Sequence, residues 1–157
     1  QYTMDDGIEI SQLLFYGSDL IFVRGSLPNR EGEFPNPSLA ADGIDQAIFL
    51  SRDKKVQKLT EGSAPLLRGE LMYFINKGQV YEYNFTDALV CNLFTTRGEI
   101  GSLRLSPDQN KLAFISNRGD HAFLGIYDFN DQSIIYPDPT VDIDRYPVFK
   151  PSAPISL

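Results

Sequence analysis

Few residues in this 157-residue sequence have the type for bond-making chemistry, and none comes with the partners that chemistry needs. The single histidine, His121, follows Gly119 and Asp120 in a stretch of turn composition. A histidine serves as general base when it reaches a nucleophile, and a hydrolytic serine is commonly presented on a Gly-x-Ser-x-Gly elbow. No Gly-x-Ser-x-Gly occurs here, so His121 reads as a turn residue. The single cysteine, Cys91, lies between Leu89-Val90 and Leu93-Phe94. Those flanks suggest a small buried core residue, whereas a reactive thiol needs an electropositive, partly exposed setting. Asp138, Asp142 and Asp144 could offer oxygen ligands to calcium, but they lack the Asp-x-Asp-x-Asn-Gly spacing and the distal Glu of an EF-hand, so a solvated loop is favoured. Walker-type phosphate loops, Rossmann glycine patterns and zinc-spaced Cys/His sets do not occur. The expectation is therefore no catalytic residue, no metal ligand and no cofactor.

One group of charged residues remains. Arg30, Glu31 and Glu33 lie in the stretch 25–46 with Pro28, Pro35 and Pro37. A connection that long inside a compact repeat is usually functional or disordered. It reads either as a proline-stiffened surface excursion covering a sheet edge or as a contact or gating loop for a peptide or a neighbouring domain.

The elements around these residues are strands. No window of a dozen residues keeps an apolar stripe of helical period, while short apolar or alternating runs recur between Gly, Pro, Asn and Asp clusters. Strands are expected at 12–16, 20–24, 47–51, 56–59, 71–75, 79–83, 89–94, 102–105, 112–116, 123–127 and 133–136. Eight Tyr and eleven Phe fit half-buried pleated surfaces. Three segments align as one repeated unit, with Leu20, Leu71 and Leu112 taken as equivalent at steps of 51 and 41 residues. The second step matches the ~40–45 residues of a four-stranded propeller blade, and the first is lengthened by the 25–46 stretch. Turn chemistry agrees: Ser106-Pro107-Asp108-Gln109-Asn110 presets a hairpin, and Lys77-Gly78 and Gly119-Asp120 place glycine where positive φ is wanted. The fold class expected is all-β, a partial β-propeller of about three four-stranded antiparallel blades plus the start of a fourth. The units are 8–62, 63–99 and 100–140, with a next blade beginning at 141–157 around Arg145-Tyr146-Pro147-Val148-Phe149. A ring of four to eight blades is the usual closed form, so open blade edges make self-association an expectation.

Charge narrows the partners. A net charge of −7 opposes a general phosphate-binding surface, and nucleic acid is not an expected partner. No apolar run approaches the ~20 residues of a membrane-spanning helix. No charged-then-apolar leader opens the sequence, so an exported parent is expected to have lost its targeting segment.

The run Gly101-Ser102-Leu103-Arg104-Leu105-Ser106-Pro107-Asp108, with Lys111-Leu112-Ala113-Phe114-Ile115-Ser116-Asn117-Arg118-Gly119-Asp120-His121 after it, resembles the Ser-Pro-Asp-Gly repeat of TolB-like propellers. More narrowly, it is similar to the amino-terminal propeller of serine peptidases of the prolyl oligopeptidase and dipeptidyl peptidase IV family. Val23-Arg24-Gly25, Pro28-Asn29-Arg30-Glu31-Gly32-Glu33, Gln46-Ala47-Ile48-Phe49, Lys77-Gly78-Gln79-Val80-Tyr81 and Asp144-Arg145-Tyr146-Pro147-Val148-Phe149 resemble other blades of its bacterial members. Gln109 departs from the repeat, which usually has Gly there. The resemblance implies the non-catalytic propeller portion of a secreted serine peptidase, periplasmic or extracellular, gating peptide access to a hydrolase domain outside this chain. Its partners would be that hydrolase domain and peptide substrates. In the family's dipeptidyl peptidases, adjacent propeller glutamates hold the substrate's amino terminus; Glu31 and Glu33 are not adjacent, and that role is not carried over. The alternative implied is a TolB-like protein-interaction propeller without enzymatic activity.

Overall fold

The computed structural model describes residues 9–25 and 46–137. Those residues form three four-stranded antiparallel meanders, and no helix occurs among them. The first sheet runs β1 (Glu9–Tyr16), β2 (Asp19–Gly25), β3 (Gln46–Arg52) and β4 (Lys55–Glu61). The second runs β5 (Ser63–Arg68), β6 (Leu71–Asn76), β7 (Gln79–Asn84) and β8 (Leu89–Phe94). The third runs β9 (Glu99–Leu105), β10 (Lys111–Arg118), β11 (His121–Asp128) and β12 (Ser133–Ile135). Two tight turns take the form that suits the twist of a hairpin, with positive φ at both loop residues: Asp53-Lys54 (52° and 66°) and Lys77-Gly78 (53° and 77°).

Each sheet has a leading face toward the sheet before it and a following face toward the sheet after it. Ile21, Val23, Ile48 and Leu50 on the following face of sheet one meet Met72, Phe74 and Tyr83 on the leading face of sheet two. Val80, with Leu66, Ile75 and Phe94, meets Leu112, Phe114 and Tyr127 of sheet three in the same way. Both faces of a blade are thereby apolar, which is why its middle strands read as continuous runs such as Leu71-Met72-Tyr73-Phe74-Ile75. Fully burying one such side chain contributes about 1.5–3 kcal/mol, so these two junctions are the main stabilising contacts between sheets.

Side-chain orientation corrects the repeat register. Met72, not Leu71, is the equivalent of Leu20 and Leu112, because Met72 and Phe74 are fully buried in the first junction as Leu112 and Phe114 are in the second. The hairpin ends agree, Tyr16↔Asp19 closing the first sheet where Arg68↔Leu71 closes the second. With strand period two, a slip of one residue exchanges the two faces, and a run apolar on both faces hides the slip in the sequence.

β5 was not among the expected strands because Pro65 interrupts it. Proline is tolerated at a sheet edge or a bulge, and β5 is both an edge strand and bulged between Ser63 and Leu66. β1 carries the same bulge between Ser11 and Leu14. Gln12 (φ 56°) and Ala64 (φ 56°) occupy equivalent bulge positions, and the Ala64 N–H donates to Gln12 Oε1 at 2.6 Å.

A joint repeats at the end where β1 turns into β2. Tyr16 closes the first sheet, stacks on Phe85 at 4.1 Å and donates its hydroxyl to Glu70 at 2.5 Å. Its counterpart Arg68 lies 4.0 Å over Phe129 and donates Nε–H to the Gln109 carbonyl at 2.7 Å. Phe85 and Phe129 sit in matching turns, where Asn84 Oδ1 and Asp128 Oδ1 each accept a backbone N–H two residues on, at 2.8 Å in both cases. Their own N–H groups donate to Glu70 O and Asn110 O, both at 3.0 Å.

Candidate functional site

At the opposite end of the sheets lie the β2–β3 connection, the hairpins at 77–78 and 119–120, and the linkers between sheets. The 26–45 excursion leaves and re-enters here at a fixed register, Gly25 pairing with Gln46. Gly62, opening the second sheet, donates its N–H to Gln46 O at 3.0 Å, and Ile100, opening the third, donates to Gly78 O at 2.8 Å. Arg30, Glu31 and Glu33 lie outside the described residues, as do Asp138, Asp142 and Asp144.

The linker into sheet three is held by a polar clamp. Gln79 accepts from the Thr96 N–H at 2.8 Å through Oε1 and donates through Nε2 to Thr96 O and Gly98 O, at 3.3 and 3.1 Å. Thr96 Oγ1 donates to Gly98 O at 3.1 Å and lies 3.5 Å from the fully buried Ser116 Oγ. A Cβ on Gly98 would come within 2.4 Å of the Asn117 carbonyl oxygen, so the linker passes the β10 backbone only as glycine.

The β10–β11 hairpin is two residue pairs longer than its counterpart in sheet two, extending through Asn117↔Ala122 to Arg118↔His121. That length places Arg118 and His121 beyond the end of the junction core. His121 is buried, and its Nδ1 is 2.5 Å from the exposed Asp120 Oδ1. This Asp–His contact joins adjacent residues of one hairpin, and His121 itself opens β11, paired with Arg118, rather than lying in the turn. Arg118 lies 4.1 Å over the Phe123 ring and 5.4 Å from the Tyr136 ring, and donates through a terminal nitrogen to Tyr136 Oη at 3.3 Å. Stacking holds the guanidinium plane in place and leaves its buried Nε–H without a hydrogen-bond acceptor. No group of three or more metal-ligating side chains occurs among the described residues.

Cys91 corrects the sequence reading. It is exposed on β8, the outer edge of sheet two, beside exposed Leu89 and Val90. Its apolar flanks belong to an outermost strand rather than to the core. Partial desolvation, followed by the neighbouring Glu82 carboxylate 3.8 Å away, raises its thiol above the ordinary value, which disfavours the reactive thiolate.

The sequence reading overlooked Arg118 with its two rings, and also the turn pair Tyr83-Asn84-Phe85-Thr86-Asp87 and Tyr127-Asp128-Phe129-Asn130-Asp131. The latter was detectable as a repeat at a step of 44 residues. Arg118 carried no comparable signal, because its rings come from a strand partner and from the residue just after β12.

No family model and no curated protein matches the sequence. Solved structures do. The chain superposes on TolB from Acinetobacter baumannii with a TM-score of 0.53 and 20% identity, covering 76% of this chain and 29% of that one. The β-propeller domain of the trilobed protease from Pyrococcus furiosus, described as having an open velcro topology, gives 0.56 and 14%, covering 82% and 41%. An oligogalacturonate lyase in complex with manganese gives 0.52 and 15%, covering 77% and 36%. The chain thus spans well under half the length of these structures. Three proteins so differently named share the architecture, so the likeness shows the fold alone: the described sheets are blades of a β-propeller.

Proposed function

We propose that this chain is the non-catalytic propeller portion of a secreted serine peptidase of the prolyl oligopeptidase family, gating peptide access to a hydrolase domain outside it. The observation that carries this reading is the run 101–121, whose resemblance to that family falls on β9 and β10 and the two hairpins that flank β10. Likeness in fold to a protease propeller supports it. The 26–45 excursion supplies the gate: it springs from the same end of the blades as the Arg118 hairpin, and Arg30, Glu31 and Glu33 are its contact residues. Size exclusion then acts with attraction to set which peptides enter. A periplasmic or extracellular location follows from the same reading.

The test is the full-length protein. It is expected to carry a Gly-x-Ser-x-Gly elbow downstream, to be labelled by a fluorophosphonate and to cleave short prolyl peptides. Deleting 26–45 is expected to admit longer peptides. A full-length protein with no such elbow and no labelling would refute the peptidase. The likeness to TolB favours a second reading, an interaction propeller without activity, and that outcome would leave it standing.

A further inference from the structure

The outer turns of sheets two and three are built alike, and they differ at two positions that the turn itself does not use. In Tyr83-Asn84-Phe85-Thr86-Asp87 and Tyr127-Asp128-Phe129-Asn130-Asp131 the aromatic residues and the final aspartate repeat. The residue after the tyrosine accepts, through Oδ1, the backbone N–H two positions on, at 2.8 Å in each turn. Aspartate serves there as well as asparagine, and sheet three has asparagine where sheet two has threonine. The turn therefore requires neither the amide nitrogen of Asn84 nor the hydroxyl of Thr86. Among the described residues Asn84 Nδ2 and Thr86 Oγ1 have no hydrogen-bond partner, Nδ2 is not buried, and Thr86 is exposed.

These two groups are the ones an Asn-x-Ser/Thr acceptor triplet presents. Asn84-Phe85-Thr86 is the only such triplet in the sequence whose middle residue is not proline, since Pro37 excludes Asn36-Pro37-Ser38. We propose that Asn84 is an N-glycosylation site, its co-substrate an oligosaccharide carried on a polyprenyl diphosphate and joined by an oligosaccharyltransferase as the chain is exported. A C–N bond forms between Asn84 Nδ2 and the anomeric carbon of the sugar. The bond from that carbon to the diphosphate oxygen breaks, its electron pair leaves with the diphosphate, and one amide proton passes to a base. The product suits the fold: Oδ1 keeps the Thr86 N–H, Phe85 stays stacked on Tyr16, and the glycan on Nδ2 extends into solvent. The turn lies at the β1–β2 end of the sheets, opposite the 26–45 excursion, so a bulky glycan there leaves the candidate site open. The site shares with the peptidase reading only the export of the chain.

The full-length protein, secreted from eukaryotic cells, is digested with trypsin, and the peptide 78–97, between Lys77 and Arg97, is read by mass spectrometry. That peptide is expected to carry a glycan which peptide N-glycosidase removes, leaving aspartate at position 84. Asn84→Asp and Thr86→Asn copy Asp128 and Asn130 of sheet three, so both variants are expected to keep the wild-type far-UV circular dichroism and to lose the glycan completely. Thr86→Ser is expected to retain it. A bare Asn84 in the secreted wild-type protein would overturn the proposal, as would a glycan on residue 84 that survives Thr86→Asn. A protein labelled by a fluorophosphonate but bare at Asn84 sinks this site alone, and a glycan on a protein that is never labelled sinks the peptidase alone.

Discussion

Gly125 is the position where a single methyl group should report on the junction that carries the candidate site. It lies opposite Phe114 on β11, and a Cβ placed there would fall 2.2 Å from Phe114 Cζ, 2.6 Å from Cε2 and 2.8 Å from Cε1. Ordinary carbon contacts lie at about 3.5–4.0 Å, so the ring would have to retreat by more than about 1 Å. It has little room, being 1% exposed and held by Phe94 at 5.0 Å and Tyr136 at 6.2 Å between ring centroids. Overpacking of a filled core costs about 1–3 kcal/mol, and the shortness of all three approaches puts Gly125→Ala at the upper part of that range, about 2–3 kcal/mol. Gly119→Ala is the control for backbone strain: its φ is 69° but nothing lies within 4 Å, so about 1 kcal/mol is expected from the left-handed conformation alone.

Urea unfolding followed by circular dichroism and tyrosine fluorescence suits a chain without tryptophan. Unchanged m with a lowered midpoint is the expected form of the result, at one fixed protein concentration. Phe114→Leu removes the three ring atoms that meet the new methyl. It should cost about 1–2 kcal/mol alone, yet the double variant should be about 1–2 kcal/mol more stable than the sum of the single effects. Gly125→Ala within about 0.5 kcal/mol of wild type, or strict additivity in the double variant, would refute the packing described for the second junction.

Gln109 has φ 63° in the β9–β10 turn, where the related repeat has glycine, so Gln109→Gly should raise the unfolding free energy by about 0.5–1 kcal/mol, less the extra chain entropy of glycine. Cys91 should alkylate with a pH midpoint above that of a free thiol, because desolvation and then Glu82 raise it; Glu82→Gln should lower the midpoint, and an unmoved one would remove Glu82 as a cause. The Tyr16 hydroxyl, bonded to Glu70, is raised from 10.0 to about 12. Its folded value lies above the unfolded one, so its stabilisation is whole below pH 10 and is lost as pH rises toward 12. Tyr16→Phe should flatten that alkaline slope, and a slope that persists unchanged would argue against the Tyr16–Glu70 bond.

The architecture was legible in the sequence because turns and repeats are local. Ser106 to Asn110 form the expected hairpin: Asp108 Oδ1 accepts the Asn110 N–H at 3.0 Å and the Ser106 hydroxyl at 2.7 Å, and these bonds hold its carboxyl below the usual range. Lys77-Gly78 turns as its composition says. What failed depended on neighbours distant in sequence. Leu71 and Met72 are both apolar, and only the packing of sheet one decides which faces it. Cys91 shares its apolar flanks with a core strand, but its place at the edge of the meander exposes it. Pro65 hid β5 because edge position and bulge, which make proline tolerable, are properties of the sheet.

The same distinction bears on function. The inter-sheet joint needs an aromatic residue in the outer turn of the later blade, Phe85 or Phe129, and a partner closing the earlier one, Tyr16 or Arg68. The outer turn of sheet one is instead the two-residue Asp53-Lys54, with no aromatic residue to reach backward. Whatever meets the leading face of sheet one therefore meets it without an aromatic residue in that turn. A junction that keeps the apolar contact but lacks the locking turn is weaker than the internal two by the stacking and hydrogen bonds they add, about 0.5–1.5 kcal/mol for each.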